Sequence, residues 1–101
     1  MIRTISINHP SILSIRITEP PYHENVANTN SDIWVELKNG QTYSFTVFTV
    51  RNIDKLMSQQ ASLSFVSPGM LIVKIFSDAA IIEAVTQAEE LNIERFGILA
   101  S

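Results

Sequence analysis

Cysteine is absent from the 101 residues of this chain. That excludes disulfides, zinc ribbons, iron–sulfur sites and thiol nucleophiles, and it suits a reducing compartment. Glycine occurs only at positions 40, 69 and 97, too scattered for a phosphate-cradling loop of the P-loop or dinucleotide kind. Serine is common, yet none stands in a Gly-x-Ser-x-Gly elbow. Basic residues are sparse as well. Seven are spread between Arg3 and Arg95, no two adjacent, whereas a nucleic-acid binder concentrates positive charge on one face. No nucleic-acid partner is expected. No apolar run approaches the length that crosses a bilayer. Met1 to Ile7 alternates apolar and polar residues and lacks the continuous apolar stretch of a secretory signal. The expectation is a cytoplasmic protein without a membrane partner.

What is present is a core. Apolar residues make up 46% of the chain and the net charge is −3, the balance of one packed globular domain spanning residues 1–101. Ile2 to Ile7 and Ile12 to Thr18 read as two strands around an Asn8–Ser11 turn. In the second, Leu13, Ile15 and Ile17 are expected on the buried face and Ser14, Arg16 and Thr18 on the other. Glu19 to Ser31 holds two prolines and three asparagines and reads as a long loop.

The strongest local signal is a hairpin, Asp32–Leu37 and Gln41–Thr49, around Asn39-Gly40. A two-residue Asn-Gly turn would put the aliphatic and aromatic sets on opposite faces. A three-residue loop, Lys38-Asn39-Gly40, pairs Val35 with Tyr43 and Ile33 with Phe45, so both sets share one face. The three-residue loop is expected. The opposite face then carries Trp34 and Phe48 among Glu36, Thr42, Ser44 and Thr46. Two large apolar groups on a polar face imply that a helix or a second chain covers them.

Val50 to Gln60 reads as an amphipathic helix capped by Thr49, with Ile53, Leu56 and Met57 as its buried stripe. Ser67-Pro68-Gly69 is a turn. Met70 to Phe76 is nearly continuous in its apolarity, the pattern of a central strand buried on both faces. A second helix runs from Asp78 to Leu91, capped by Ser77 or Asp78, with Asn92 as a left-handed terminator and Glu83, Glu89 and Glu90 facing water. Ile93 to Leu99 completes the chain as a short edge strand. The fold class is α+β: an antiparallel or mixed sheet of five to six strands with two helices, in the order β-β-β-β-α-β-α-(β). The link from Tyr43–Thr49 through the first helix to the Met70 strand reads as a crossover, making that pair parallel.

Chemistry is thin. His9 precedes Pro10 in a turn and reads as solvated. Tyr22, His23 and Glu24 stand together in the long loop. A His–Glu pair can act as a base with its orienting group, but nothing completes a catalytic or metal constellation around it. No catalytic residue, metal ligand or cofactor is assigned. The expected function is non-enzymatic: a protein-interaction domain that binds a protein partner or itself, as a homodimer, through Trp34 and Phe48 with Tyr22 and His23. The alternative is a small enzyme or ligand binder built on residues 19–31 with Tyr22, His23 and Glu24.

Overall fold

In the central hairpin, Leu37 donates its N–H to Gln41 at 2.8 Å and Gly40 donates to Leu37 at 3.0 Å. Gly40 takes a φ of +94°, the left-handed region where a side chain is strained. Val35 pairs with Tyr43 and Ile33 with Phe45, so the three-residue loop sets the register. All four of those side chains are buried.

The computed structural model describes residues 2–18 and 26–100. Its elements are β1 (Ile2–Ser6), β2 (Ile12–Thr18), β3 (Asn30–Leu37), β4 (Thr42–Thr49), α1 (Val50–Gln59), β5 (Met70–Val73), α2 (Asp78–Glu90) and β6 (Ile98–Leu99), with a single 3-10 turn at Ile93–Arg95. The fold is α+β. One six-stranded sheet runs in the order β1-β2-β3-β4-β5. Neighbours are antiparallel except β4 and β5, which are parallel across the α1 crossover. β6 pairs antiparallel with Tyr43 and Ser44. Because β3 occupies one side of β4, β5 and β6 share the other, end to end.

The core lies between one sheet face and α2. Ile15, Ile17, Ile33, Val35 and Val47 are fully buried there, against Ile81 and Val85 of the helix. Ser77 caps α2 by accepting from the Ala80 N–H at 3.2 Å. Arg3 of β1 reaches the first turn of α2 and donates to both Asp78 carboxylate oxygens, at 2.9 and 2.7 Å. That hydrogen bonding holds the Asp78 carboxyl below the usual carboxylate range; slight burial opposes it and the Arg3 charge adds to it. A lowered folded-state pKa contributes stability above the unfolded value and loses it as pH falls through the folded one. Both partners are substantially exposed, so the pair is worth no more than about 1 kcal/mol at neutral pH. Urea denaturation of wild type and Asp78→Asn is expected to show that small gap at pH 7 and its disappearance well below pH 4. A gap that persists in acid would contradict the ion pair.

Several sequence expectations are corrected. In β2 the register shifts between Ile12 and Ser14. That β-bulge turns Ile12 into the core and leaves Leu13 52% exposed. The α1 stripe of Ile53, Leu56 and Met57 is only half-buried, and the buried residue of that helix is Asn52. β5 ends at Val73 rather than Phe76 and lies at the sheet edge, not its centre; Ile72 is half exposed. Its apolar run reflects the edge's surroundings, described below. The segment from Ile93 begins as a 3-10 turn and becomes strand only at Ile98. There Gly97 passes so close to the sheet that a Cβ on it would sit 2.7 Å from Cζ of Phe45.

Candidate interaction surface

Trp34 and Phe48 occupy the sheet face opposite α2, as the hairpin register requires. They do not form one open patch. Phe48 is buried, and Phe65 from the connector after α1 packs edge-on against it with ring centroids 5.1 Å apart. The connector thus does what a helix or a second chain was expected to do. Trp34 is half-buried, opposite Arg16 on β2 and Ser44 on β4. It lines a hollow of about 200 Å³ with Asp32, Thr46, Pro68 and Ile98. Tyr22, His23 and Glu24 lie outside the described residues, so the alternative built on them gains no geometry.

A polar cluster joins Asn28, Thr29 and Asn30 to the start of α1. Asn52 accepts from the Asn30 amide at 2.8 Å and donates to Asn28 at 3.1 Å. Thr49 Oγ1 accepts from the N–H groups of Thr29 and Asn52 and donates to the Thr29 carbonyl. These bonds fix the path of the chain into β3 and α1, and among the described residues no buried side-chain polar atom lacks a partner. In the sequence Asn28 and Asn30 read only as loop residues and Asn52 only as part of the first helix. The spacing of Asn52 three residues after a capping threonine was the available signal.

His9, Ser11 and Glu89 also meet. The Ser11 hydroxyl donates to Glu89 Oε2 at 2.7 Å, and His9 Nδ1 accepts from the Ser11 backbone N–H at 3.1 Å. Thus Glu89, expected to face water, holds a serine, and His9 is tied into its turn. In a nucleophilic triad the imidazole stands between hydroxyl and carboxylate. Here the hydroxyl stands between the other two, and the imidazole nitrogen facing it is already filled by the backbone. Beside them a cleft of about 500 Å³ is lined by Ser11, Gln41, Tyr43, Glu89, Asn92 and Glu94. Among the described residues no group of three or more histidines and carboxylates could hold a metal ion. No helix of the described residues is long and apolar enough to cross a membrane, which says nothing of a β-barrel.

Exposed apolar side chains occur at several places, Leu63 and Val66 of the connector among them, and one group lies along the outer side of β4. Five large side chains gather on or beside β5 and β6: Ile72, Leu91, Phe96, Ile98 and Leu99, each between 43% and 64% exposed. The opposite sheet edge differs. β1 carries one exposed apolar side chain, Ile2, but also Arg3, Thr4 and Ser6, and a charge on an edge strand resists strand addition. β5 has no charged residue between Met70 and Val73.

No family model matches this chain, and no curated protein and no solved structure matches it. The reading of function therefore rests on the surface itself. The sequence pointed to Trp34 and Phe48 because the hairpin register was legible; it missed the β5–β6 side because Met70 to Phe76 reads as central. The signal that could have found it is the shortness of the run, only four apolar residues between the Ser67-Pro68-Gly69 turn and Lys74.

Proposed function

We propose that this chain is a non-enzymatic protein-interaction domain that self-associates in a reducing, cytoplasmic setting. The observation that carries the reading is the group of half-exposed apolar side chains around the β5 edge, Ile72, Leu91 and Phe96, which line one groove. Burying such side chains is worth about 25 cal/mol per Å² of apolar surface removed from water, and contiguous apolar patches on small domains mark interaction sites. Aromatic anchors such as Phe96 dominate interface energetics. Trp34 borders the same side through the hollow it shares with Ile98.

Light scattering over a wide concentration range tests the reading. Wild type is expected at twice the 11.3 kDa chain mass. Phe96→Glu, at an exposed position, is expected to remain folded and shift toward the monomer. A wild type that stays monomeric throughout would end the self-association reading and leave a different protein as the partner.

A further inference from the structure

We infer that the partner is a second copy of this chain, added strand to strand at the outer edge of β5 across a twofold axis at Leu71. This rests on the self-association reading and says how it occurs.

Backbone geometry sets the first constraint. The Thr46 N–H donates to the Gly69 carbonyl at 2.8 Å, so Gly69 points its backbone groups at β4. Along a strand that direction alternates, so Leu71 and Val73 also face β4. Met70 and Ile72 present their N–H and C=O groups away from it. No described strand lies beyond them in the sheet order. The Phe76 N–H, past the end of β5, donates to the Val26 carbonyl at 2.7 Å, but along Met70 to Val73 an edge with no described strand beyond it is a template for another strand.

Side chains set the second. The edge is flanked by an apolar groove on each face. On the α2 side a groove of about 250 Å³ lies among Leu71, Ile72, Ala84, Leu91 and Phe96. On the α1 side one of about 750 Å³ has an apolar floor of Val50, Ile53, Met57 and Ile72, with the charged side chains of Arg51, Asp54 and Lys74 also lining it. An added strand sends alternate side chains to opposite faces, so the occupant must be apolar on both. Met70-Leu71-Ile72-Val73 is such a strand. β5 is therefore complementary to its own surroundings, which is what an isologous dimer needs.

Parity sets the third. Residues that point outward must pair with residues that point outward. An axis at Leu71 pairs Met70 with Ile72 of the second copy and Leu71 with its own equivalent, and keeps all pairing within β5. Lys74 then falls outside the paired stretch, so no like charges are opposed.

Three variants test this. Ile72→Pro removes an N–H that β4 does not use, so the intramolecular ladder is kept. Circular dichroism is expected to show it folded. Its dimer dissociation constant is expected to rise roughly tenfold to hundredfold for the lost inter-chain hydrogen bonds. Ile72→Ala keeps the N–H and is expected to weaken the dimer less. Leu71→Cys introduces the only thiol in the chain. Residues that do not exchange hydrogen bonds across an antiparallel pair lie about 4.5 Å apart at Cα, within the roughly 4.4–6.8 Å range that a disulfide spans. Mild oxidation is expected to give a covalent dimer. A wild-type dimer that tolerates Ile72→Pro and does not cross-link at Leu71→Cys overturns the strand pairing and leaves self-association standing. A wild type that is monomeric at every concentration overturns both. Should Ile72→Pro unfold, the Leu71→Cys cross-link alone decides.

Discussion

Replacing Ile81 with alanine is expected to lower stability by about 2–5 kcal/mol. Ile81 is fully buried and lies a turn inside the N-terminus of α2. With Val85 and Ala88 it forms the buried line by which that helix closes the core. The substitution removes three carbons from a site with no access to water. The facing side chains come from a hydrogen-bonded sheet, which cannot collapse far into the gap, so a cavity term adds to the lost transfer energy. Urea denaturation should show a lower midpoint with an unchanged slope, since the surface exposed on unfolding is nearly the same. The neighbouring Ile82→Ala, at a half-buried position, is expected to cost less than half as much. Equal effects at both positions would mean that α2 presents a different face to the sheet.

Thr49→Val is the second large effect, expected at roughly 2–4 kcal/mol. The exchange conserves shape and replaces the hydroxyl with a methyl group. That hydroxyl is fully buried at a point where three paths meet. It caps α1 through the Asn52 N–H at 3.3 Å, accepts from the Thr29 N–H at 3.1 Å and donates to the Thr29 carbonyl at 3.2 Å. The Thr29 carbonyl keeps a donor, because the Thr49 N–H reaches it at 3.0 Å. The two N–H groups do not, and stranded buried donors are more expensive than an average hydrogen bond is favourable. Thr49→Ser retains the oxygen and is expected to fall well short of the valine effect. Chemical denaturation of both variants checks the pair. A serine loss larger than the valine loss would show that the methyl group, not the hydrogen bonding, holds the site.

The two cases differ in how visible they were. Ile81 stands with Ala84, Val85, Ala88 and Leu91 at helical spacing, and the 3.6-residue period marks that stripe without any structure, although Leu91 at its end is exposed. The hairpin register was legible for a related reason. A one-residue slip would have separated Ile33 and Val35 from Tyr43 and Phe45, and only one loop length avoids that. Thr49 was legible as a cap but not as a bridge, since its partner Thr29 comes from a segment with no periodicity. The bulge at Leu13 was hidden because Leu13, Ile15 and Ile17 alternate without fault in sequence; only Leu37 across the ladder claims Ile12 instead. β5 misled for a physical reason. Burial by a neighbouring strand and burial by flanking grooves both select an apolar run, and composition cannot separate them.

The division of one side of β4 between β5 and β6 has a consequence for how the chain assembles. β1 to β4 form a meander whose neighbouring strands are close in sequence, so those pairings close short loops. Ser44 and Ile98 are 54 residues apart and meet through a hydroxyl-to-carbonyl contact. Closing a loop of that length carries a larger entropic penalty, and non-local contacts slow folding. Yet the meander has no lid until Ile81 and Val85 arrive from the last third of the chain. Its apolar face stays wet while the slower contacts form. Refolding is therefore expected to be rate-limited by docking α2 and β6 on a preassembled ladder, and losing residues 98–100 should slow the return to the native state more than losing Ile2.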